Sequence, residues 1–524
     1  MGSFQITYDD FSGGQYMGSK STNQPKNQWH GTNVIVTPDG NLIPAQCEIA
    51  GQYTPPGTTT FTNIYDHWVV ETNSYVFINT VGFFPSTTTS RMLKTINVND
   101  GSLFPATMTP TTLTGVLNGK VAYNPNNLTF YYIASTGTIY SITDTGTIAS
   151  VSAALAGLDL RDIATYNYRQ VAWGGVNATA KKRLYYSGTD LTTWSTANYY
   201  EFSGKILNVL PRTNDLLVIC DTGVFSLVGV LGASITSQLI VPQENVTEGM
   251  SAAVVVGRNA YFLDQRLNGA PDGRIYRLTG SSTQTNLTLD IDDVVESQFR
   301  GLEQMVIGAV NDGRLVIQTR SGHCYAESTP GTWARLYSPE NNFFASDKDK
   351  VKIGRAGPNS LNEYFMVASV PEGEVVETIT LTRYIHNVAK IEDKTAKFIY
   401  TSPAGSGSPY SPQGNAQLSE YWHSKPFTVK EIFVEFFPRN ESVFNNPQCS
   451  VGITPTGIID LYTAYNGSSW VEATEPMIVG INNSNKASVT QRFRPNNAPK
   501  GFGVKPILNF TDVTIKRVIL NCED

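Results

Sequence analysis

The sequence predicts an all-β protein: a β-propeller of six or seven blades with an extended N-terminal arm and a C-terminal β-sandwich-like domain. Short runs rich in Val, Ile, Thr, Tyr and Phe recur about every ten residues between Gly, Asn, Asp and Pro, the pattern of antiparallel strands joined by tight turns. One hairpin pattern, a hydrophobic strand, a turn with glycine and a second strand with an aromatic residue, repeats through the middle of the chain. The turn glycines Gly137, Gly223, Gly273 and Gly322 are 86, 50 and 49 residues apart, and the first interval holds a further unit around Arg183 to Tyr186. A β unit of about 43–50 residues matches a four-stranded propeller blade.

Taken in order, residues 1–54 are rich in Gly, Asn, Gln and Pro and read as an arm or plug packed on something else. Residues 55–395 carry the repeats: 127–140, 214–225, 259–276 and 312–325, with strands at Tyr75 to Asn79 before them and Tyr364 to Ser369 after them. The best helical candidates, Val151 to Ile163 and Asp292 to Leu302, are both short. A Pro/Gly/Ser run over 401–412 marks a linker within the third unit, 396–524. Beyond it, Lys430 to Phe437, Cys449 to Ile453, Gly457 to Leu461 and Val513 to Leu520 alternate as sandwich strands do.

Composition narrows the function. The 524 residues are 40% hydrophobic but only 16% charged, against roughly 25% in an average soluble protein. Neutral Thr, Asn, Ser and Gly replace the missing charge, which argues against a coiled coil, a helical bundle or an acidic disordered tail. Thirty-eight basic against 44 acidic residues give a net charge of −6, so no global basic surface exists to grip phosphates. The five cysteines, Cys47, Cys220, Cys324, Cys449 and Cys522, are scattered, which fits neither a disulfide framework nor a zinc site and reads as thiols of a reducing compartment. No run is long enough for a membrane span, and the first residues have no basic segment followed by an apolar stretch. The expectation is a protein folded where it is synthesised.

A search for chemistry yields no catalytic, cofactor-binding or metal-binding set. The five histidines, His30, His67, His323, His386 and His423, form no ligand motif, and His67 and His423, each beside a tryptophan, read as packing or surface residues. No nucleophile elbow, phosphate loop or dinucleotide fingerprint occurs. Asp290, Asp292, Asp293 and Glu296 cluster along the chain as a solvated helix start would. Asp264 and Asp272 match no calcium loop. The segment SGTDLTTW, residues 187–194, resembles the Asp-box hairpin of sialidase-type propellers, a structural motif, but lacks the usual glycine after Asp190.

The N-terminal segments YDDFSGG (8–14), NQPKNQW (23–29), GTN (31–33) and TPDGNLIP (37–44) resemble the start of many bacteriophage tail proteins. The hairpin YYSGTDLTTW (185–194), followed by ILNVLPRTNDLLV (206–218), is similar to the propeller of short-tailed phage nozzle proteins, also called tail tubular protein B. The resemblance spans about residues 8–340; the C-terminal domain departs most. It implies a structural virion protein: a nozzle or hub assembled as a homohexameric ring below the portal and adaptor, in the tail, built in the host cytoplasm. Genomic DNA would pass through it without specific binding, and its distal end is a further place for host contact. By the same resemblance Asp10, Phe11, Gly13, Gly14 and Trp29 are expected to serve assembly, with anchoring of the arm to its own propeller as the alternative. A mildly acidic, neutral-polar channel wall suits such a conduit, because a basic one would hold DNA. Two other readings remain open: a minor tail or receptor-binding protein of a long-tailed phage, told apart by a trimeric fibre, and a propeller glycosidase, which needs converging carboxylates about 5–9 Å apart.

Overall fold

The computed structural model describes residues 2–15, 25–32, 34–36, 39–44, 46–55, 60–70, 73–81, 88–95, 106–117 and 119–242. Beyond these it describes 253–256, 259–264, 274–279, 283–286, 306–309, 315–318, 324–329, 332–336, 350–356, 364–370, 378–385, 414–438, 449–456, 468–469, 471–472, 477–478, 489–494, 500–510 and 513–524. The chain is all-β; its one helical turn among these residues is the 3-10 turn Ala180–Lys182.

The chain opens with β1 (Ser3–Tyr8), β2 (Gly14–Gln15), β3 (Gln28–Thr32), β4 (Val34–Val36), β5 (Leu42–Pro44) and β6 (Gln46–Tyr53). Four-stranded antiparallel meanders follow. Blade one is β7 (Thr60–Val70), β8 (Asn73–Val81), β9 (Thr88–Thr95) and β10 (Ala106–Thr112). Blade two is β11 (Ala122–Asn124), β12 (Thr129–Ile133), β13 (Ile139–Thr143) and β14 (Ile148–Ser152). Blade three is β15 (Asp162–Tyr166), β16 (Arg169–Trp173), β17 (Arg183–Tyr186) and β18 (Tyr199–Glu201). Blade four is β19 (Ile206–Pro211), β20 (Leu216–Cys220), β21 (Gly223–Val230) and β22 (Ser234–Pro242). Blade five is β23 (Ala253–Val256), β24 (Asn259–Asp264), β25 (Arg274–Thr279) and β26 (Thr283–Asn286). Blade six is β27 (Val306–Ala309), β28 (Leu315–Gln318), β29 (Cys324–Thr329) and β30 (Thr332–Leu336).

Blade seven is built from both sides of the ring. It takes β31 (Val351–Ile353), β33 (Tyr364–Ser369) and β34 (Ile379–Ile385), and its fourth strand is β6, antiparallel to β34 from Ile379↔Tyr53 to Ile385↔Gln46. The short β32 (Arg355–Ala356) runs parallel to β7 of blade one. First strands of successive blades touch in turn, β11 to β15, β19, β23, β27, β31 and β7, which places them around the axis. The ring is therefore closed by a strand borrowed from the N-terminal side, and closure removes the edge a linear array would expose.

The repeats singled out in the sequence are second and third strands of blades: β12–β13, β20–β21, β24–β25 and β28–β29. Among the described residues, blades one to five pack in succession, and seven on one, through aliphatic and aromatic side chains. Between blades one and two, Phe130 is fully buried with ring centroids 4.8 Å from Tyr75, 5.4 Å from Phe77 and 5.0 Å from Tyr123. Truncating such a ring costs about 3–5 kcal/mol.

The C-terminal strands are β35 (Gly414–Leu418), β36 (Tyr421–Pro438), β37 (Cys449–Thr456), β38 (Ser468–Ser469), β39 (Val471–Glu472), β40 (Met477–Ile478), β41 (Val489–Arg494), β42 (Gly501–Phe510) and β43 (Val513–Glu523). They share a 14-stranded sheet with β1 to β5. β1 pairs antiparallel with β43 from Ser3↔Glu523 to Tyr8↔Val518, and β3 pairs with β35. The chain ends meet where the Asp524 N–H donates to the Gly2 carbonyl at 3.0 Å.

Two expectations change. Residues 1–54, read as an arm, supply five strands to the C-terminal sheet and the closing strand of blade seven. Their partners lie hundreds of residues away, which local composition cannot display. The helix read at Val151 to Ile163 is instead the end of β14, a pair of turns and the start of β15; Ala154 N–H donates to Ser152 Oγ at 3.1 Å and Gly157 has φ +84°. The predicted helix at Asp292 to Leu302, the 401–412 linker and the strand at Gly457 to Leu461 lie outside the described residues.

Candidate functional site

Two places concentrate polar or sequence-predicted residues: the turn that joins the N-terminal strands to the C-terminal sheet, and the propeller axis.

Four of the five residues expected to serve assembly, Asp10, Phe11, Gly13 and Gly14, lie on the turn and its end, and Trp29 lies on the neighbouring β3. Asp10 Oδ1 accepts the Ser12 N–H at 2.9 Å, and hydrogen bonding from the Ser12 side chain first and this N–H second holds its carboxyl below the usual range. Phe11 N–H donates to the Gly40 carbonyl, Gly13 N–H to that of Asn27, and Gly14 N–H to that of Phe11, each at 3.2 Å. Gly14 has φ +73°, a conformation that favours glycine. Phe11 and Trp29 are buried with Tyr8, Val34, Leu42, Leu418 and Val518 in the core of the C-terminal sheet, which continues into Val316 of blade six and Val351 of blade seven. Tyr8 donates its hydroxyl to the Ser419 carbonyl at 2.9 Å, and burial pushes its pKa up. Nearby, a Cβ at Gly31 would lie 1.9 Å from the Asn415 carbonyl oxygen, so only glycine allows β3 this close to β35. Phe11 and Trp29 are thus spent inside their own chain. They position the N-terminal strands and offer no side chain to a neighbour.

The axis carries a polar belt that periodicity did not reveal. Asp66 on β7 pairs with Arg355 on β32 through Nε–Oδ1 at 3.0 Å and a shorter Nη2–Oδ2 contact, and also accepts the Val121 N–H at 2.8 Å. The Arg355 guanidinium lies 4.2 Å over the Trp68 ring and donates to the Val121 carbonyl at 2.6 Å. The next residue back, Lys120, donates its N–H to Asp162 Oδ1 on β15 and its ammonium to Asn208 Oδ1 on β19, both at 2.8 Å. The belt therefore runs from blade seven through one, two and three to four. Burial pulls the Lys120 pKa down to about 8; Arg355 and Lys352 add to this against the opposing pull of Asp162 and Asp66.

His67, next to Asp66, is fully buried. Its Nε2 lies 2.6 Å from Ser74 Oγ and its Nδ1 3.4 Å from the Lys352 carbonyl, and burial lowers its pKa to about 4. It is a neutral packing residue, as the sequence suggested. His423 stacks on Phe4 at 4.7 Å.

The hairpin at 187–194 forms the tie that its sequence resembles. Asp190 accepts the N–H groups of Thr192 and Thr193 at 3.2 and 3.0 Å and both their hydroxyls, and the Thr193 bonds chiefly hold its carboxyl well below the usual range. Trp194 is buried between blades two and three. Leu191 adopts φ +64° directly after Asp190, where the usual motif has glycine.

Chemically, the belt is an arrangement of satisfied charges. Asp66 is engaged by the Arg355 guanidinium and the Val121 amide, and Asp162 Oδ1 accepts the Lys120 amide. Among the described residues no His, Cys, Asp or Glu group could hold a metal ion, and no helix is long and apolar enough to cross a membrane. Cys220 and Cys522 are free, buried thiols, while the acidic run Asp290 to Glu296, Asp272, His323 and His386 lie outside the described residues.

Among the described residues the sheets and axis define a seven-bladed β-propeller whose first and last strands share one further sheet. No protein-family model matches the chain, and no curated protein matches it. Among solved structures it is similar to the WD40 β-propeller domain of Doa1, with 9% identity and a TM-score of 0.40 over 66% of this chain and 99% of that one. It is similar to the β-propeller domain of the trilobed protease from Pyrococcus furiosus, with 8% identity and a TM-score of 0.40 over 62% of this chain and 94% of that one. Virginiamycin B lyase from Staphylococcus aureus gives 10% identity and a TM-score of 0.39 over 62% and 98%. At these scores the likeness carries no argument about this chain, whose fold is read from its own sheets.

Proposed function

We propose that the protein is a structural, non-catalytic component of a bacteriophage tail, a nozzle or hub that assembles into a ring of copies and lets DNA pass. The observation that carries the reading is the N-terminal signature at 8–14 and 23–29, whose Tyr8, Phe11 and Trp29 weld the first strands into the sheet of the last ones. A part that must hold position under the passage of DNA gains from having its first and last strands, β1 and β43, paired in one sheet.

The axis favours a channel between copies over one within a copy. The Lys120–Asn208 bond joins blade two to blade four across blade three, whereas a duplex needs room for a helix whose major groove alone is about 12 Å wide. In this reading the partners are further copies of the chain, the portal and adaptor above it and other tail proteins, in the virion. The low charge suits permanent contacts, which are depleted in Lys, Glu and Asp. Electron microscopy of the purified protein tests it: closed rings with a central channel are expected, and trimeric fibres or dispersed monomers contradict it.

A further inference from the structure

The outer strand of blade four differs from its counterparts. β21 and β22 have 8 and 9 residues, whereas the outer strands β14 and β18 have 5 and 3. Among the described residues nothing pairs with the outer edge of β22, where the sheet order ends. Exposed edges are ordinarily blunted by charge, proline or a bulge. From residue 223 to 243 there is no charged residue, the register shift opposite Val224 and Phe225 lies near the far end of β22, and Pro242 is its last residue. Ser234, Thr236, Ser237 and Gln238 are exposed, as are the large aliphatics Val228, Val230 and Leu239.

We propose that the edge of β22 pairs antiparallel with the same edge of a second copy of this chain, about a two-fold axis at Ser237. The sequence around Ser237 is self-complementary. In that register Ile235 faces Leu239 of the second copy, Thr236 faces Gln238, and Ser237 faces itself. Residues directly opposite in an antiparallel pair lie on one face, so aliphatic meets aliphatic and hydroxyl meets amide. A two-fold contact places each patch on its own copy, which would set a charge at position 237 against itself; an uncharged strand meets no such penalty. This pairing goes beyond the ring reading, because a ring closes through head-to-tail contacts on other surfaces.

The test is native mass spectrometry of the full chain at about 10 μM, in the concentration range where an interface of moderate size associates. Wild type, Ser237→Lys, Ser237→Asp and an equimolar mixture of the two variants are compared, with circular dichroism melts to verify folding. Dimers, or larger species built from them, are expected in the wild type. Each single variant should associate at least about ten-fold more weakly, because like charges then sit opposite each other, and the mixture should recover as ammonium meets carboxylate. Unchanged association of the single variants, a mixture of folded variants that does not recover, or a wild type without dimers would each overturn the proposal, the last pointing to a different protein on this edge. Rings that survive in Ser237→Lys after dimers vanish support both readings, whereas dimers without rings overturn the ring alone.

Discussion

Asp66 on β7 and Arg355 on β32 form a two-bond ion pair across the seam between blade one and blade seven, beneath the Trp68 ring and beside the Val121 amide. The seam is where the two ends of the propeller meet, so the pair and the β6 strand close the ring together. Asp66→Asn should lower stability by about 2 kcal/mol, less than the 3–5 typical of a fully buried pair because Arg355 keeps some water contact. Arg355→Met should cost at least as much, since it leaves the buried Asp66 carboxylate without its cation, held only by the Val121 and His67 N–H groups. Urea midpoints check both, and a change under about 0.5 kcal/mol for Asp66→Asn, the range of an ordinary surface substitution, would deny the seam this role.

His67 predicts the acid limb of stability. Its folded pKa of about 4 lies below the ordinary value, so the unfolded chain binds the extra proton first, and stability falls as pH drops from about 6.5 toward 4. The loss from this one group approaches about 3 kcal/mol at the acid end. His67→Asn should flatten the melting temperature between pH 6.5 and 4 relative to wild type; parallel curves would show that His67 does not titrate on unfolding.

Lys120 acts with the same sign in a higher pH window. With a folded pKa near 8 its charged form is disfavoured in the native state, so stability from this group rises as pH climbs from about 8 to about 10.5. Lys120→Met should therefore gain most over wild type below pH 8 and lose that advantage toward pH 10.5. A difference between the two melting curves that does not vary with pH would mean that the ammonium sits in water-like surroundings.

The β15–β16 turn carries Asn167 at φ +45° and Tyr168 at φ +61°, a two-residue hairpin in which both central residues are left-handed. Tyr168 is 76% exposed, so its ring gains little in return. Tyr168→Gly should stabilise the protein by about 1 kcal/mol. Destabilisation in thermal melts would mean that the tyrosine ring makes a contact the hairpin needs.

The strands that were legible are those whose neighbours are also close in sequence. β12–β13 and β20–β21 announce themselves through β-branched and aromatic residues around Gly137 and Gly223. The first strands were harder to read: β11 is three residues long and β15 begins with Asp162, because the axis they line is polar. Closure by β6 and the pairing of β1 with β43 were invisible, since residues 46–53 meet 379–385 and residues 3–8 meet 518–523. At Phe11 and Trp29 the sequence marked special residues, and the fold assigns them to an internal core. Around Ser152 and Gly157 a run of small residues reads as helix, whereas a side-chain turn and a left-handed glycine break it.

The most direct test of the central claim is electron microscopy of the purified full-length chain in buffer of physiological ionic strength. The account predicts closed rings of six copies around a channel wide enough for a DNA duplex, with the path running between propellers. Particles that remain single propellers, or that assemble as threefold fibres, would contradict it.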